Sequence, residues 1–275
     1  MQLKPCGEEV NMRLRVVTSM VLALLAAWFA SAGYAKPLPG GVIPAKGQIL
    51  IIVTNHFRYP SRADKTGLWL TELTHFTDVV EAAGYSTVFA SPHGGKTPLD
   101  ERSLGWPYMD EAARQHMKSP VFRLRLANTV PITKIDPTQF RAIYFTGGHG
   151  VMWDFPDNPD LQRAAETIYA QGGIVSAVCH GVAGLVGVKD DRGEPLIKDK
   201  AITGFSSREE SLARMKSQVP FFLEDRLVGE GARYQKAWLP FTSYVVTDGR
   251  LVTGQNPQSA AAVAQAVVGL LTSSR

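Results

Sequence analysis

Cysteine is nearly missing from this chain, with two in 275 residues, Cys6 and Cys179. A disulfide scaffold is therefore excluded, because such domains depend on several bridges. Internal repeats and low-complexity tracts are also absent, and the composition rules out collagen-like and coiled-coil classes. Basic residues outnumber acidic ones by 29 to 25, with a pI near 9.0, yet no block of lysine or arginine stands out. A nucleic-acid partner would need those cations clustered and interleaved with aromatics, so none is expected. The histidines likewise lack tight ligand spacing such as HxxxH. His56, His75, His93 and His116 read as surface or packing residues, and no metal is expected.

What is present is an ordinary globular composition, 45% apolar and 20% charged, which supports a sizeable core. One long uncharged run, from Val16 to Ala32, follows Arg13 and Arg15, and Gly33 and Ala35 occupy the small-residue positions of a cleavage site. Residues 1–35 are thus expected to be a signal peptide cut after Ala35, with Met12 a candidate true start. The competing reading is an uncleaved anchor, since the run approaches the ~18 residues of a membrane span. The expectation is an exported, periplasmic protein that touches membrane only through an uncleaved leader. Cleavage would remove Cys6 and leave Cys179 as a lone thiol, either an inert buried residue or a reactive one.

Residues 36–275 read as one domain. After a Pro- and Gly-rich entry, residues 48–54 (QILIIVT) form a short apolar run with the pattern of a strand buried on both faces. A helix is predicted over 66–83, closed by Gly84. Further strands are predicted at 85–90, 142–145, 173–178 and 200–203. A helix from Pro159 to Tyr169 has Asn158 as its N-cap and proline at its first position. Residues 244–253 (YVVTDGRLVT) read as a hairpin around Asp248-Gly249. Residues 91–139 read as an insertion or lid with a polar helix near 109–118, and an apolar helix closes the chain at 259–271. The alternation predicts an α/β fold with a doubly wound, mostly parallel sheet between helices.

The strand at 173–178 runs into Ala177-Val178-Cys179-His180-Gly181 and then a small-residue helix. This is the frame of a nucleophile elbow with cysteine in place of serine. A thiol at a helix N-terminus is expected to ionise more readily, and the His180 backbone N–H can serve a developing oxyanion. A second such donor is expected from Gly148 in the Gly147-Gly148-His149-Gly150 turn, at the end of a presumed neighbouring strand. His149 itself is either a structural loop histidine or a substrate-side donor. Trp69, Trp106, Trp153 and Trp238 read as core or pocket wall.

The stretches TGLWLTEL (66–73), FTGGHGVMWDFPDNPDLQ (145–162), YAQGGIVSAVCHG (169–181), AITGFSSREE (201–210) and YVVTDGRLVTGQNPQSA (244–260) resemble the DJ-1/PfpI superfamily. The similarity is to its Hsp31-like branch, which includes glutathione-independent glyoxalases (glyoxalase III, or D-lactate dehydratase) and stress chaperones, and it covers nearly all of the chain after residue 35. The resemblance implies a flavodoxin-like fold related to class I glutamine amidotransferases. It implies Cys179 as nucleophile, His180 as neighbouring acid/base and Glu72 as the carboxylic acid that bonds the thiol and shuttles a proton. Glu210 would orient the histidine, with Glu209 the near alternative, while Gly148 and the His180 backbone would hold the oxyanion. Val182 departs from the proline that many relatives carry after CHG, which leaves pocket shape open.

A small 2-oxoaldehyde is the implied substrate, and no cofactor is implied, because thiolate, proton relay and oxyanion donors suffice for its internal redox chemistry. Dimers are common in the superfamily, so a homodimer is allowed. Two other classes stay open: a holdase chaperone or protein-repair factor, and a cysteine-dependent amidohydrolase or peptidase.

Overall fold

The computed structural model describes residues 46–273. The expected leader and most of the entry segment lie outside them. In chain order the elements are β1 (Gln48–Ile52), α1 (Leu70–Ala82), β2 (Ser86–Ser91), α2 (Glu111–Lys118), α3 (Pro120–Ala127), β3 (Val130–Pro131), β4 (Phe140–Phe145), α4 (Val151–Asp154) and α5 (Pro159–Ala170). They continue with β5 (Ile174–Val178), β6 (Ala201–Ile202), α6 (Ser207–Leu212), α7 (Leu223–Gly229), β7 (Arg233–Tyr234), β8 (Val245–Asp248), β9 (Leu251–Gly254) and α8 (Ala260–Ser273). Seven strands form one sheet in the order β3-β2-β1-β4-β5-β9-β8, and β6 pairs with β7 separately. Every neighbouring pair is parallel except the β8–β9 hairpin, whose two-residue turn is Gly249-Arg250.

Period-two alternation along β1 explains why a nearly continuous apolar run is needed there. Ile49, Ile51 and Val53 enter one layer with Leu70, Leu73 and Phe76 of α1 and Val263 and Val267 of α8. Leu50 and Ile52 face the opposite layer, with Leu161, Ala165 and Ile168 of α5. The N-terminus of α5 forms as its sequence predicts: Asn158 Oδ1 accepts from the N–H groups of Asp160 and Leu161, each at 3.2 Å, with Pro159 at the first position.

Two differences bear on the site. First, α1 begins at Leu70, because Thr66 to Trp69 stay extended. The Leu68 N–H donates to the Pro98 carbonyl at 2.8 Å and the Asp100 N–H to the Leu68 carbonyl at 2.9 Å. These long-range bonds occupy the backbone that a first helical turn would have used. Second, residues 91–139 are built into the sandwich. They supply the edge strand β3, and α2, which packs on α1, along with a short 3-10 turn at Glu101–Leu104.

Strand order reverses between β1 and β4, which opens a crevice at the carboxyl ends of the strands. The turn after β4 and the elbow after β5 stand side by side there, because β4 and β5 are paired neighbours.

Candidate active site

Cys179 follows β5 without a linker and has a φ of +56°, a left-handed conformation uncommon for any residue but glycine. The chain continues as a 3-10 helix, Cys179–Leu185. Gly181 permits this turn: a Cβ there would stand 2.4 Å from the Phe145 carbonyl oxygen and 2.5 Å from that of Thr146. The elbow is thereby pressed against the end of β4.

Gly147 has the matching role on the other side. Its N–H donates to Glu72 Oε2 at 2.7 Å, and a Cβ on it would lie 2.6 Å from that oxygen. Glu72 is in the first turn of α1 and 0% exposed, and Oε1 has no hydrogen-bond partner among the described residues. Burial pushes the carboxyl up to about 8, although bonding to the Cys179 thiol and to the Gly147 N–H pulls the other way. At neutral pH Glu72 is therefore mostly a carboxylic acid.

The thiol is also moved upward. Burial and the field of Glu72 raise its pKa, against a hydrogen bond from the His180 backbone N–H. Burial of the thiol thus works against the easier ionisation expected at a helix N-terminus, since desolvation of a thiolate outweighs the dipole of a short 3-10 segment.

The positive φ at Cys179 also brings two adjacent side chains to the same side, with Sγ 3.4 Å from His180 Nδ1. His180 Nε2 meets Glu210 Oε2 at 2.7 Å, and His149 Nε2 meets Glu210 Oε1 at 2.9 Å. Glu210 is selected over Glu209 by helix capping. Ser206 and Glu209 form a reciprocal capping box at the start of α6, and Glu209 also accepts from the Phe241 N–H and Asn256 Nδ2. The next residue is left to face the imidazoles. Burial alone would raise the Glu210 carboxyl, but the fields and hydrogen bonds of His180 and His149 hold it well below the usual carboxylate range. Burial and the neighbouring His180 push His149 down to about 4.

Ligand atoms of His149, His180 and Glu210 lie within 4.8 Å of one another, a set that could hold a metal ion. Glu210 meets both imidazoles within that set.

The thiol opens on a cavity of about 420 Å3, walled by Trp69, Arg102, Tyr108, Gly148, His149, Phe205 and Phe241. A larger groove of about 1060 Å3 runs along residues 189–200, but no titratable group on its wall is buried.

Cys179, His180, Glu72, Glu210, Gly148 and His149 are thus all brought to one place. Of the tryptophans, Trp69 forms pocket wall and Trp153 packs against the core and stacks on His56 at 4.6 Å. Trp106 and Trp238, expected as core or pocket wall, are 94% and 89% exposed and do not line the cavity. Arg102, Asp100 and Tyr59 are site residues that no motif announces. Arg102 Nη2 reaches His149 Nδ1 at 2.8 Å and is anchored on buried Asp100.

The model of the DJ-1/PfpI family matches residues 66–270, a span that holds every one of these groups except Tyr59. The chain belongs to the DJ-1/PfpI family. Within it, the chain is 34% identical over 230 residues to glyoxalase 3 of Candida albicans, covering 80% of this chain and 97% of that protein. It is also 34% identical over 225 residues to the glutathione-independent glyoxalase HSP31 of Saccharomyces cerevisiae, covering 78% and 94%. The crystal structure of glyoxalase III from Candida albicans superposes with a TM-score of 0.77 at 33% identity, covering 82% of this chain and 98% of that one. The Rapid Encystment Protein 24 KDa of Francisella tularensis gives 0.78 at 37%, covering 82% and 99%. The DJ-1/PfpI fold expected from the motifs is therefore the fold observed.

Proposed function

We propose that this protein is a glutathione-independent glyoxalase that converts small 2-oxoaldehydes such as methylglyoxal to 2-hydroxy acids, with Cys179 as nucleophile. The observation that carries the proposal is the Cys179 thiol 3.4 Å from His180 Nδ1, beside the buried carboxyl of Glu72, which burial pushes up to about 8. The family relatives named above support the substrate class.

In the proposed sequence, the Cys179 sulfur adds to the aldehyde carbon as its proton passes to His180 Nδ1. A hemithioacetal forms, and the new oxyanion is held by the His180 and Gly148 N–H groups. Glu72 then gives its own proton to the adjacent carbonyl oxygen and takes up the former aldehyde C–H proton, which forms an enediol; it returns that proton to the adjacent carbon and regains one from the hydroxyl of the first carbon. The first carbon is oxidised to a thioester and the second is reduced to an alcohol, so no external oxidant or reductant is required. Water cleaves the thioester, releases the hydroxy acid and restores the thiol. Glu210 keeps the His180 ring in register.

Export through residues 1–35 belongs to the same proposal, on the strength of the Arg13, Arg15 and Val16 to Ala32 pattern. The test is D-lactate formation from methylglyoxal without glutathione, by the chain starting at Lys36 and by its Cys179→Ala variant. Turnover lost in the variant is expected. Intact, reduced protein that makes no hydroxy acid overturns the assignment.

A further inference from the structure

A guanidinium can donate hydrogen bonds but cannot accept them. The 2.8 Å contact between Arg102 Nη2 and His149 Nδ1 therefore requires Nδ1 to carry its lone pair. Neutral His149 must then hold its proton on Nε2 and donate it to Glu210 Oε1 at 2.9 Å. Glu210 Oε2 receives the other donor, His180 Nε2–H, at 2.7 Å. That leaves the lone pair of His180 on Nδ1, 3.4 Å from the Cys179 sulfur.

Arg102 is itself held firmly. Its Nε and Nη2 donate to the two oxygens of Asp100 at 3.0 and 2.8 Å, and Asp100 is 0% exposed. Tyr59 donates to Asp100 Oδ2 at 2.9 Å and also contacts Arg102 Nη2. The guanidinium lies over the rings of Tyr59 and Trp69. Burial opposes its charge, but the hydrogen bonds and field of Asp100 raise its pKa above the usual arginine value, so it remains a fixed donor.

We propose that Arg102 is a positioning residue. By fixing the His149 tautomer it gives Glu210 an N–H donor instead of a lone pair to face, which keeps that carboxylate an acceptor for His180 Nε2–H and so leaves a basic nitrogen aimed at the thiol. A deprotonable lysine or a rotating amide would not impose the same direction, because only guanidinium combines a permanent charge with a rigid fork. The proposal deepens the glyoxalase reading and rests on it for its meaning in turnover, but the proton arrangement stands or falls separately.

The test combines three readouts on wild type, Arg102→Gln, Arg102→Lys and the paired variant Asp100→Asn/Arg102→Gln. The paired variant leaves no orphaned buried charge should the single variant fold poorly. Nitrogen-15 NMR of the histidine rings reports the tautomers, and the pH profile of Cys179 alkylation by iodoacetamide reports the thiol with no reference to turnover. The titratable groups acting on that thiol are Glu72, His180 and, at longer range, Glu209.

Wild type is expected to show His149 and His180 both protonated on Nε2. In the Gln variants His149 should sample both tautomers, the alkylation profile should move, and kcat should fall at least tenfold with KM changed less than threefold. Arg102→Lys should recover part of the loss. Unchanged tautomers and an unchanged alkylation profile in folded Gln variants would overturn the proposal, as would a rise in KM with kcat intact, which marks substrate binding instead. A wild-type protein with the expected tautomers but no hydroxy-acid product would sink the glyoxalase reading alone.

Discussion

Glu72 is the residue whose titration and role separate most cleanly. Its folded carboxyl is pushed up to about 8, above the unfolded value near 4.3. The folded state therefore binds this proton more tightly, and the stability linked to it is full at low pH and lost as pH rises through 8. Glu72→Gln keeps the hydrogen-bond shape without the charge. The variant should lose turnover by about 10²- to 10⁴-fold, the usual range for a proton-transfer group, while its melting temperature should exceed that of wild type at pH 9. Calorimetry and D-lactate assays on the same samples check both; near-normal turnover would refute the shuttle role. His149 works in the opposite sense. Its pKa is held down to about 4, below the unfolded value near 6.5, so its share of stability is present above 6.5 and lost as pH falls through 4. A His149→Gln variant should show a shallower loss of stability across that interval in acid titrations.

At the scale of elements, the start of α6 decides which carboxylate reaches the imidazoles. Ser206→Ala removes the cap acceptor for the Glu209 N–H and should cost about 1 kcal/mol in denaturant unfolding. It should also lower kcat, since the register of Glu210 is fixed by that first turn. The sequence reading left Glu209 beside Glu210 as the alternative, because the contacts that separate them, Asn256 and the Phe241 N–H on Glu209 and the two imidazoles on Glu210, arrive from elsewhere in the chain. Strands β1, β4, β5 and the β8–β9 hairpin, the N-terminus of α5 and the elbow at Cys179 were legible, since each is written in local pattern or turn chemistry. The start of α1 was not, because its first turn is displaced by backbone bonds to residues 98–100. The same cause hid Arg102: nothing within residues 91–139 marks a side chain whose partners are His149, Tyr59 and Asp100. The φ at Cys179 brings the thiol and His180 together, whereas side chains of adjacent residues usually diverge.

Across the whole molecule, the pocket wall continues to a rim with exposed apolar side chains. Leu212 and Phe241 are 57% and 39% exposed and line the cavity, and Trp238 is near Phe241 in the chain. This apolar exposure is the one observation that favours a holdase reading beside the glyoxalase. A holdase acting through these side chains should suppress client aggregation equally with Cys179→Ala, and weaken in Leu212→Ser and Trp238→Ser. Light scattering of a heated client protein reads both. Among the described residues no helix is long and apolar enough to cross a membrane. Export is checked by N-terminal sequencing of protein recovered from a bacterial host, where the first residue should be Lys36.

The left-handed backbone at position 179 has an evolutionary edge. An L-residue pays roughly 1–2 kcal/mol to sit there, and glycine does not. Among inactive variants, Cys179→Gly should therefore melt above Cys179→Ala, although it buries less. Natural drift toward a calmer backbone at this one position would exchange the nucleophile for a residue with no chemistry, so robustness and reactivity pull in opposite directions at the same atom.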